Sequence, residues 1–452
     1  MVVLLLGAAA TAFVVWYVTS RHTLQNSRPL GGPEIDISHA PRVQSETTIA
    51  IDPSHPHLLL AGSNDELFVT RVYSSRDRGR DWRSLGGPPL ANRAQCGDGD
   101  PAITISRDGS EYYAFLADLS CTQGNERPHL FVAARSRFGA QWRSYAVAHT
   151  GGPHFLWDDK PAIAVDDSSE TKYRGRVYLV WSRLVNQDFE VLEISRSDDD
   201  GHTWATPIPV GADRFSPQTS SVAVGPGGVV YVAAADPLRG GLWLARSTDG
   251  GVHFVGPHRV ASTAPLYSTA CHASAFPVPA QADRCVNANP IVNVFSRGPH
   301  AGEVVLTYET REQNGTQGVY AEAFDDRLRR LFRVRVNPAD HKPADQFLPA
   351  SAIDPITEDL WSCFYDTTGD ASRTHAWYTC TVSHDGGRTW LSPVRAADAP
   401  SDETHGGYQQ YGDYEGVAAF GGVAHPIWTD TRKEPSRAEE VYTTAIRATR
   451  LR

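Results

Sequence analysis

Asp413, Tyr414 and Glu415 stand side by side in this chain, and Asp100 and Asp159 each lie just before a short apolar run that begins Pro-Ala-Ile. Carboxyl groups placed this way suit cleavage of a glycosidic bond, which needs a proton donor and a nucleophile or base on either side of it. Asp100 and Asp159 are the candidate acids. Other chemistries lack their signatures. There is no phosphate loop and no H-E-x-x-H pair, and no G-x-S-x-G elbow. His149, His154 and His405 fall in loops, away from any ligand spacing. No cofactor is called for. The acidic CGDGDP segment (Cys96–Pro101) and the SDDDG run offer oxygens that calcium would take. The first lacks the regular spacing of a calcium loop, and the second has a structural explanation.

These residues must be positioned by a repeat. S-x-D-x-G-x-x-[W/F] occurs as SRDRGRDW (Ser75, Asp77, Gly79, Trp82), SDDDGHTW (Ser197, Asp199, Gly201, Trp204), STDGGVHF (Ser247, Asp249, Gly251, Phe254) and SHDGGRTW (Ser383, Asp385, Gly387, Trp390). Ser and Asp can tie nearby backbone groups into a tight turn. Gly supplies a backbone conformation that other residues resist, and the closing aromatic anchors the turn. Each copy therefore reads as a hairpin turn.

The turns close a longer unit of a short strand, a polar turn, a second strand, a variable loop and a third strand. The first strands align as TTIAID, PAITIS, PAIAVD, SSVAVG, PIVNVF, ASAID and GVAAFG. Seven such units of four antiparallel strands make a seven-bladed, all-β propeller. Six blades is the alternative count, because a long Cys-containing loop (residues 261–288) precedes the unit at Asn289. The last unit lacks a fourth strand. GPEIDISHAP (Gly32–Pro41) resembles a fourth strand without a unit of its own, so it is expected to close the ring. With Gly 38 and Pro 30 in 452 residues, the composition favours short strands and turns over helices.

This template places two rings of polar residues on the face opposite the S-x-D-x-G turns. One precedes each first strand: Glu46, Asp98, Asp100, Asp158–Lys160, Gln218, Asn289, Gln346 and Asp413–Glu415. The other ends each second strand: Asp65, Asp118, Arg183, Asp236, Glu309, Arg311, Asp366, Asp430 and Arg432. A polar pocket over a central channel is the expected site, with Arg183, Arg311, Asp413, Asp430 and Arg432 as candidate ligand-binding groups.

The repeated turns resemble the Asp-boxes, or BNR repeats, of the sialidase (neuraminidase) superfamily. WDDKPAIAV, GRVYLVWSR and GDYEGVA also resemble bacterial secreted exo-sialidase-like proteins. The resemblance covers nearly all of the chain after residue 40. It implies a glycan-directed hydrolase-like protein; the alternative is a non-catalytic propeller that binds a glycan or a protein partner. It also implies a tyrosine nucleophile, here Tyr414 assisted by Glu415, and a substrate carboxylate held by three arginines, here Arg183, Arg311 and Arg432. This chain departs from the family in two respects. Residues 29–60 hold no F/Y-R-I-P type segment, and the three arginines fall in units three, five and seven.

Met1–Ser20 is uncharged and apolar, near the length that spans a bilayer. It reads as a signal anchor or signal peptide, followed by a linker at 21–33 and one propeller domain at 34–452. The expected location is extracytoplasmic, secreted or anchored, with membrane contact only through this segment. The six cysteines (Cys96, Cys121, Cys271, Cys285, Cys363, Cys380) show no zinc spacing, and an exported chain would oxidise them. Pairing of sequence neighbours is simplest: Cys96–Cys121, Cys271–Cys285 and Cys363–Cys380. A net charge of −10 without a basic stripe argues against nucleic acid.

Overall fold

The computed structural model describes residues 30–40, 43–65, 69–88, 96–118, 129–147, 157–186, 189–211, 219–236, 240–262, 276–286, 288–337, 343–405, 410–432 and 439–448. Seven antiparallel sheets carry the fold. Blade 1 is Thr48–Ile51, Leu59–Asp65, Val69–Ser75 and Arg83–Gly86; blade 2 is Cys96–Ile105, Glu111–Asp118, His129–Arg135 and Arg143–Ala146. Blade 3 is Trp157–Val165, Val177–Asn186, Phe189–Ser197 and Ile208–Pro209; blade 4 is Thr219–Val224, Val230–Asp236, Gly241–Ser247 and Val255–Ser262. Blade 5, Ile291–Val294, Val304–Arg311, Gln317–Phe324 and Arg330–Arg335, is complete, so the count is seven. Blade 6 is Gln346–Ile353, Leu360–Asp366, His375–Ser383 and Val394–Arg395.

Blade 7 has three strands from the C-terminal end of the chain, Gly416–Phe420, Val423–Asp430 and Glu440–Thr443. Its fourth is Ile35–Asp36, paired with Thr443 and Tyr442. Ser38 reinforces this closure: its hydroxyl donates to Glu440 Oε2 (2.5 Å) and accepts the Val441 N–H (2.9 Å). Closure leaves the ring no open sheet edge between its ends. The loop that weakened the fifth unit in the sequence is an insertion. It carries a small hairpin, Phe276–Val278 with Gln281–Val286.

Each S-x-D-x-G turn joins a third strand to a fourth. In the second copy, the Ser197 hydroxyl donates to Asp199 Oδ1 (2.8 Å) and accepts the Gly201 N–H (2.9 Å). Asp199 Oδ1 also accepts the Thr203 N–H (2.8 Å). The indole N–H of Trp82, Trp204 and Trp390 closes its turn on the carbonyl of Gly79, Gly201 and Gly387, at 3.1 Å in each. The turn glycines also serve as spacers between blades. Gly251 has φ +77°, and a Cβ there would lie 2.9 Å from Tyr178 of blade 3. The core itself lies between blades, where second and third strands interdigitate; Tyr378 of blade 6 stacks on Trp428 of blade 7 at 5.2 Å.

Cys363 and Cys380 face each other on adjacent strands of blade 6 and are disulfide-bonded. Cys285 is also in a disulfide. Cys121, Cys271, the side chain of Cys96 and the Met1–Ser20 segment lie outside the described residues. Among the described residues no helix is long and apolar enough to cross a membrane.

Candidate site at the channel mouth

Antiparallel order puts the starts of the first strands on the face opposite the S-x-D-x-G turns. At that face three first strands carry a bulge. The register slips between Gly99 and Ala102, between Asp159 and Ala162, and between Phe347 and Ala350. The residue in each bulge has positive φ: Asp100 (46°), Lys160 (49°) and Leu348 (47°). A proline follows each of them: Pro101, Pro161 and Pro349. Glu46, just before blade 1, has φ 56°. A bulge re-aims a side chain, and left-handed backbone at a residue with a Cβ persists only where the surroundings enforce it. Here they turn Asp100 and Lys160 over the channel axis.

The result is a buried network drawn from five blades. Lys160 forms a short ion pair with Asp413, whose backbone N–H donates to Glu46 Oε1 (3.1 Å). Asn64 donates to Glu46 Oε2 (2.8 Å) and accepts the Asp100 N–H (2.7 Å). Asn289, before blade 5, donates to the Asp413 carbonyl. The inserted hairpin supplies the lid of this network. Arg284 donates to Glu46 Oε1 (2.7 Å) and to both Asp413 carboxylate oxygens (3.0 and 2.9 Å). The hairpin is held in place by the Arg284 N–H on Gln410 Oε1 (2.9 Å) and by Gln281 on the Gly412 carbonyl (3.0 Å). Below the network a channel cavity of about 490 Å³ is lined by the first strands, with Lys160 and Tyr414 at its wall.

Charge is divided unevenly within this cluster. Burial raises Glu46 to about 8, with Asp100 adding to the rise and Arg284 opposing it. Burial and the neighbouring Asp159 raise Asp100 to about 7, against Lys160. Burial also opposes ionisation of Asp413, but Lys160 and Arg284 overcome it and hold that carboxyl well below the usual range. Two carboxyls titrating near neutrality thus sit beside one that stays ionised, which is the environment-driven division acid–base sites use.

Of the sequence-expected residues, Asp100, Asp159, Asp413 and Tyr414 come together here. Tyr414 donates weakly to the Pro101 carbonyl (3.4 Å), and the Lys160 ammonium lies 6.0 Å from its ring centroid. Glu415 points elsewhere. It accepts from Thr47, from Tyr365 (2.5 Å) and from the Thr429 N–H (3.0 Å), so its tyrosine partner is Tyr365 rather than Tyr414. Burial raises Glu415 to about 8.

The second ring is occupied locally. Arg183 pairs with Asp158 (3.2 Å) and Glu193 (3.3 Å) in its own blade. Arg432 pairs with Asp430 (2.5 Å) and with Glu34 of the N-terminal segment. Arg311 lies over the Phe276 ring at 5.7 Å. Asp65 takes Arg71 (2.7 Å), and Asp366 takes Gln346 (3.0 Å). The three guanidinium groups expected to clamp one carboxylate are thus engaged with three separate partner sets. The side chains of Asp98 and Asp118, and Gln218, lie outside the described residues. Nothing in the sequence pattern marks Arg284 as a site residue. It sits in an insertion without strand periodicity, and only the fold brings it to the axis. Among the described residues no cluster of three or more His, Cys, Asp or Glu side chains is arranged to hold a metal ion.

No protein-family model and no curated protein matches this sequence. Solved structures of like fold do match. A protein of unknown function from Dyadobacter fermentans aligns over 93% of this chain and 99% of its own, at 13% identity and a TM-score of 0.52. The BP39L lectin from Burkholderia pseudomallei aligns over 78% of this chain and 84% of its own, at 13% identity and a TM-score of 0.52. A Trypanosoma rangeli sialidase aligns over 80% of this chain and 57% of its own, at 14% identity and a TM-score of 0.47. At these identities the likeness is one of fold alone: a propeller of seven four-stranded blades.

Proposed function

We propose that this protein is an extracytoplasmic, glycan-directed propeller, hydrolase-like in its chemistry, with its site at the channel mouth. The observation that carries the reading is the buried cluster of Glu46, Asp100 and Asp413 held around Lys160 and Arg284 at the channel mouth. Asp100, at about 7, can hold a proton for a leaving glycosidic oxygen at neutral pH. Asp413, kept charged by Lys160 and Arg284, can stabilise positive charge developing on a sugar ring or activate water. Tyr414, whose hydroxyl reaches the carbonyl of Pro101 next to Asp100, is the candidate nucleophile. A three-arginine clamp for a substrate carboxylate has no part in this reading, because Arg183, Arg311 and Arg432 are each engaged elsewhere. Met1–Ser20 would deliver the chain to, or hold it at, the membrane of an oxidising compartment, in keeping with the Cys363–Cys380 bond.

A panel of fluorogenic glycosides that includes sialosides tests the reading. Turnover should appear on at least one glycoside and fall by two or more orders of magnitude, roughly the worth of a general acid, in Asp100→Asn. The second reading is a non-catalytic propeller that binds a glycan on the same face. It is favoured by Arg284, which covers the network and leaves Glu46 only 1% exposed. No turnover on the whole panel, with glycan binding weakened in Tyr414→Phe, would select it.

A further inference from the structure

On the opposite face, at the seam where blade 7 closes on blade 1, lies a second cavity of about 700 Å³. Its walls are apolar at Leu30, Phe420 and Val423, and its rim carries Arg78, Arg80 and Arg447. Leu30 is 58% exposed. The three arginines are exposed, and among the described residues none is within ion-pair distance of a carboxylate. Asp77, on the same turn, accepts the Arg80 and Asp81 N–H groups (3.0 and 2.9 Å), and these bonds with the nearby Arg80 charge hold its carboxyl below the usual range. Asp81 is the exposed acid that stands against them. In a chain of net charge −10, three exposed guanidinium groups around an apolar hollow, outnumbering Asp77 and Asp81 beside them, are a local reversal of charge. The hollow also lies where the chain arrives from its N-terminus. Leu30, in its wall, follows the uncharged Met1–Ser20 run after only a short linker.

We propose that this seam docks on a bilayer through anionic phospholipid headgroups. Arg78, Arg80 and Arg447 bind phosphate, and Leu30 and Phe420 face the acyl boundary. The inference rests on the proposal that Met1–Ser20 enters the membrane, because that segment brings the seam within a linker's reach of the lipid surface. Guanidinium groups match phosphate geometry, and basic side chains beside an anionic leaflet add to the affinity of an anchor that is already inserted. The docked seam would turn the channel mouth, on the other face, away from the membrane and toward soluble or surface-borne glycans.

The test uses the full chain in nanodiscs of phosphatidylcholine alone or with phosphatidylglycerol, read by hydrogen exchange at residues 30–32, 76–83 and 445–448. Protection of these segments should appear with the anionic lipid and be lost in high salt. It should drop by roughly fivefold per arginine, on the order of 100-fold for Arg78→Ser/Arg80→Ser/Arg447→Ser together. Unchanged exchange at 44–50 and 410–417 would show that this variant keeps its fold. Equal protection in both lipids, or protection that survives the triple substitution, would overturn the proposal. Protection by soluble glycerol phosphate in detergent would assign the arginines to a free phosphate ligand and overturn the membrane surface as partner. Failure of the chain to enter nanodiscs at all would instead remove the anchor, and the docking with it, while leaving the glycosidase assay unaffected.

Discussion

Arg284 places its guanidinium 2.7 Å from Glu46 and 2.9 Å from Asp413, joining an inserted hairpin before blade 5 to residues that precede blades 1 and 7. The hairpin is thereby part of the site and part of the ring's closure. Removing this cation leaves two carboxyls in a buried setting with Lys160 as their remaining described cation. Losing one member of a buried ion network costs about 3–5 kcal/mol, and the residual exposure of Arg284 argues for the lower end. Arg284→Met should therefore lower stability by about 3 kcal/mol in urea unfolding. A loss under about 0.5 kcal/mol, the range of an ordinary surface change, would show that the hairpin is not coupled to the ring.

The buried carboxyls also set a pH profile of stability. Glu46, Asp100 and Glu415 have folded values raised to about 8, 7 and 8. Groups raised in this way stabilise fully below the unfolded carboxyl value, near 4, and that contribution is lost as pH rises through 7 to 8. Asp413 is depressed, so its contribution is present above that unfolded value and is lost as pH falls below it. The melting temperature should peak on the acid side of neutrality, decline as pH rises to about 8 and level off above it. Glu415→Gln should shallow the alkaline decline, because an amide cannot ionise. A flat melting profile from pH 5 to 9 would contradict the burial of these acids.

Activity should follow the same groups with the sign of a general acid. As pH rises through about 7 to 8, Asp100 and Glu46 lose their protons and kcat/KM should fall. The acid limb should remain level down to the usual carboxylate range, because Asp413 holds its charge there. Asp100→Asn should abolish the alkaline limb along with most of the rate. An alkaline limb that persists in this variant would assign it to Glu46.

The fold was largely legible because its signals are periodic. The four S-x-D-x-G turns, the seven first strands and the spare Ile35–Asp36 segment each announce a place in a ring, and all of them occupy it. The site was legible only in part. Asp100, Asp159, Asp413 and Tyr414 could be placed because they lie next to the first strands. Arg284 could not, since an insertion's position over the axis depends on contacts with Gln410 and Gly412, far away in sequence. Glu415 bonds Tyr365 rather than its sequence neighbour Tyr414, because neighbours in a turn diverge and its carboxyl reaches the adjacent blade. The positive-φ residues before Pro101, Pro161 and Pro349 did leave a trace, a residue followed by Pro-Ala at the head of a first strand. Sequence alone does not reveal that this trace is a bulge.

Ring closure by the N-terminal strand can be loosened at one atom. The Ser38 hydroxyl links Glu440 and the Val441 N–H across the closing strand. Ser38→Ala removes both bonds and leaves a buried N–H without its partner, at a cost of about 1–3 kcal/mol. Hydrogen exchange should accelerate first at residues 35–38 and 440–443, with blades 2 to 5 unaffected. Uniform acceleration across all blades would mean that the ring opens only as a whole.

The S-x-D-x-G turns should separate stability from function. Gly251 needs φ +77° and faces Tyr178 of the preceding blade, where a Cβ would come within 2.9 Å. Gly251→Ala combines unfavourable backbone with overpacking, together about 2–4 kcal/mol. Asp199→Ala removes the acceptor of the Ser197 hydroxyl and the Thr203 N–H in the second turn, about 1–2 kcal/mol. Both turns lie on the face away from Asp100 and Asp413. Below the melting point of each variant, kcat/KM or glycan affinity should therefore match the unaltered protein within about twofold, since changes at distant sites act independently. A specific loss of activity at full folding would place the working site on the turn face and reverse the assignment of faces.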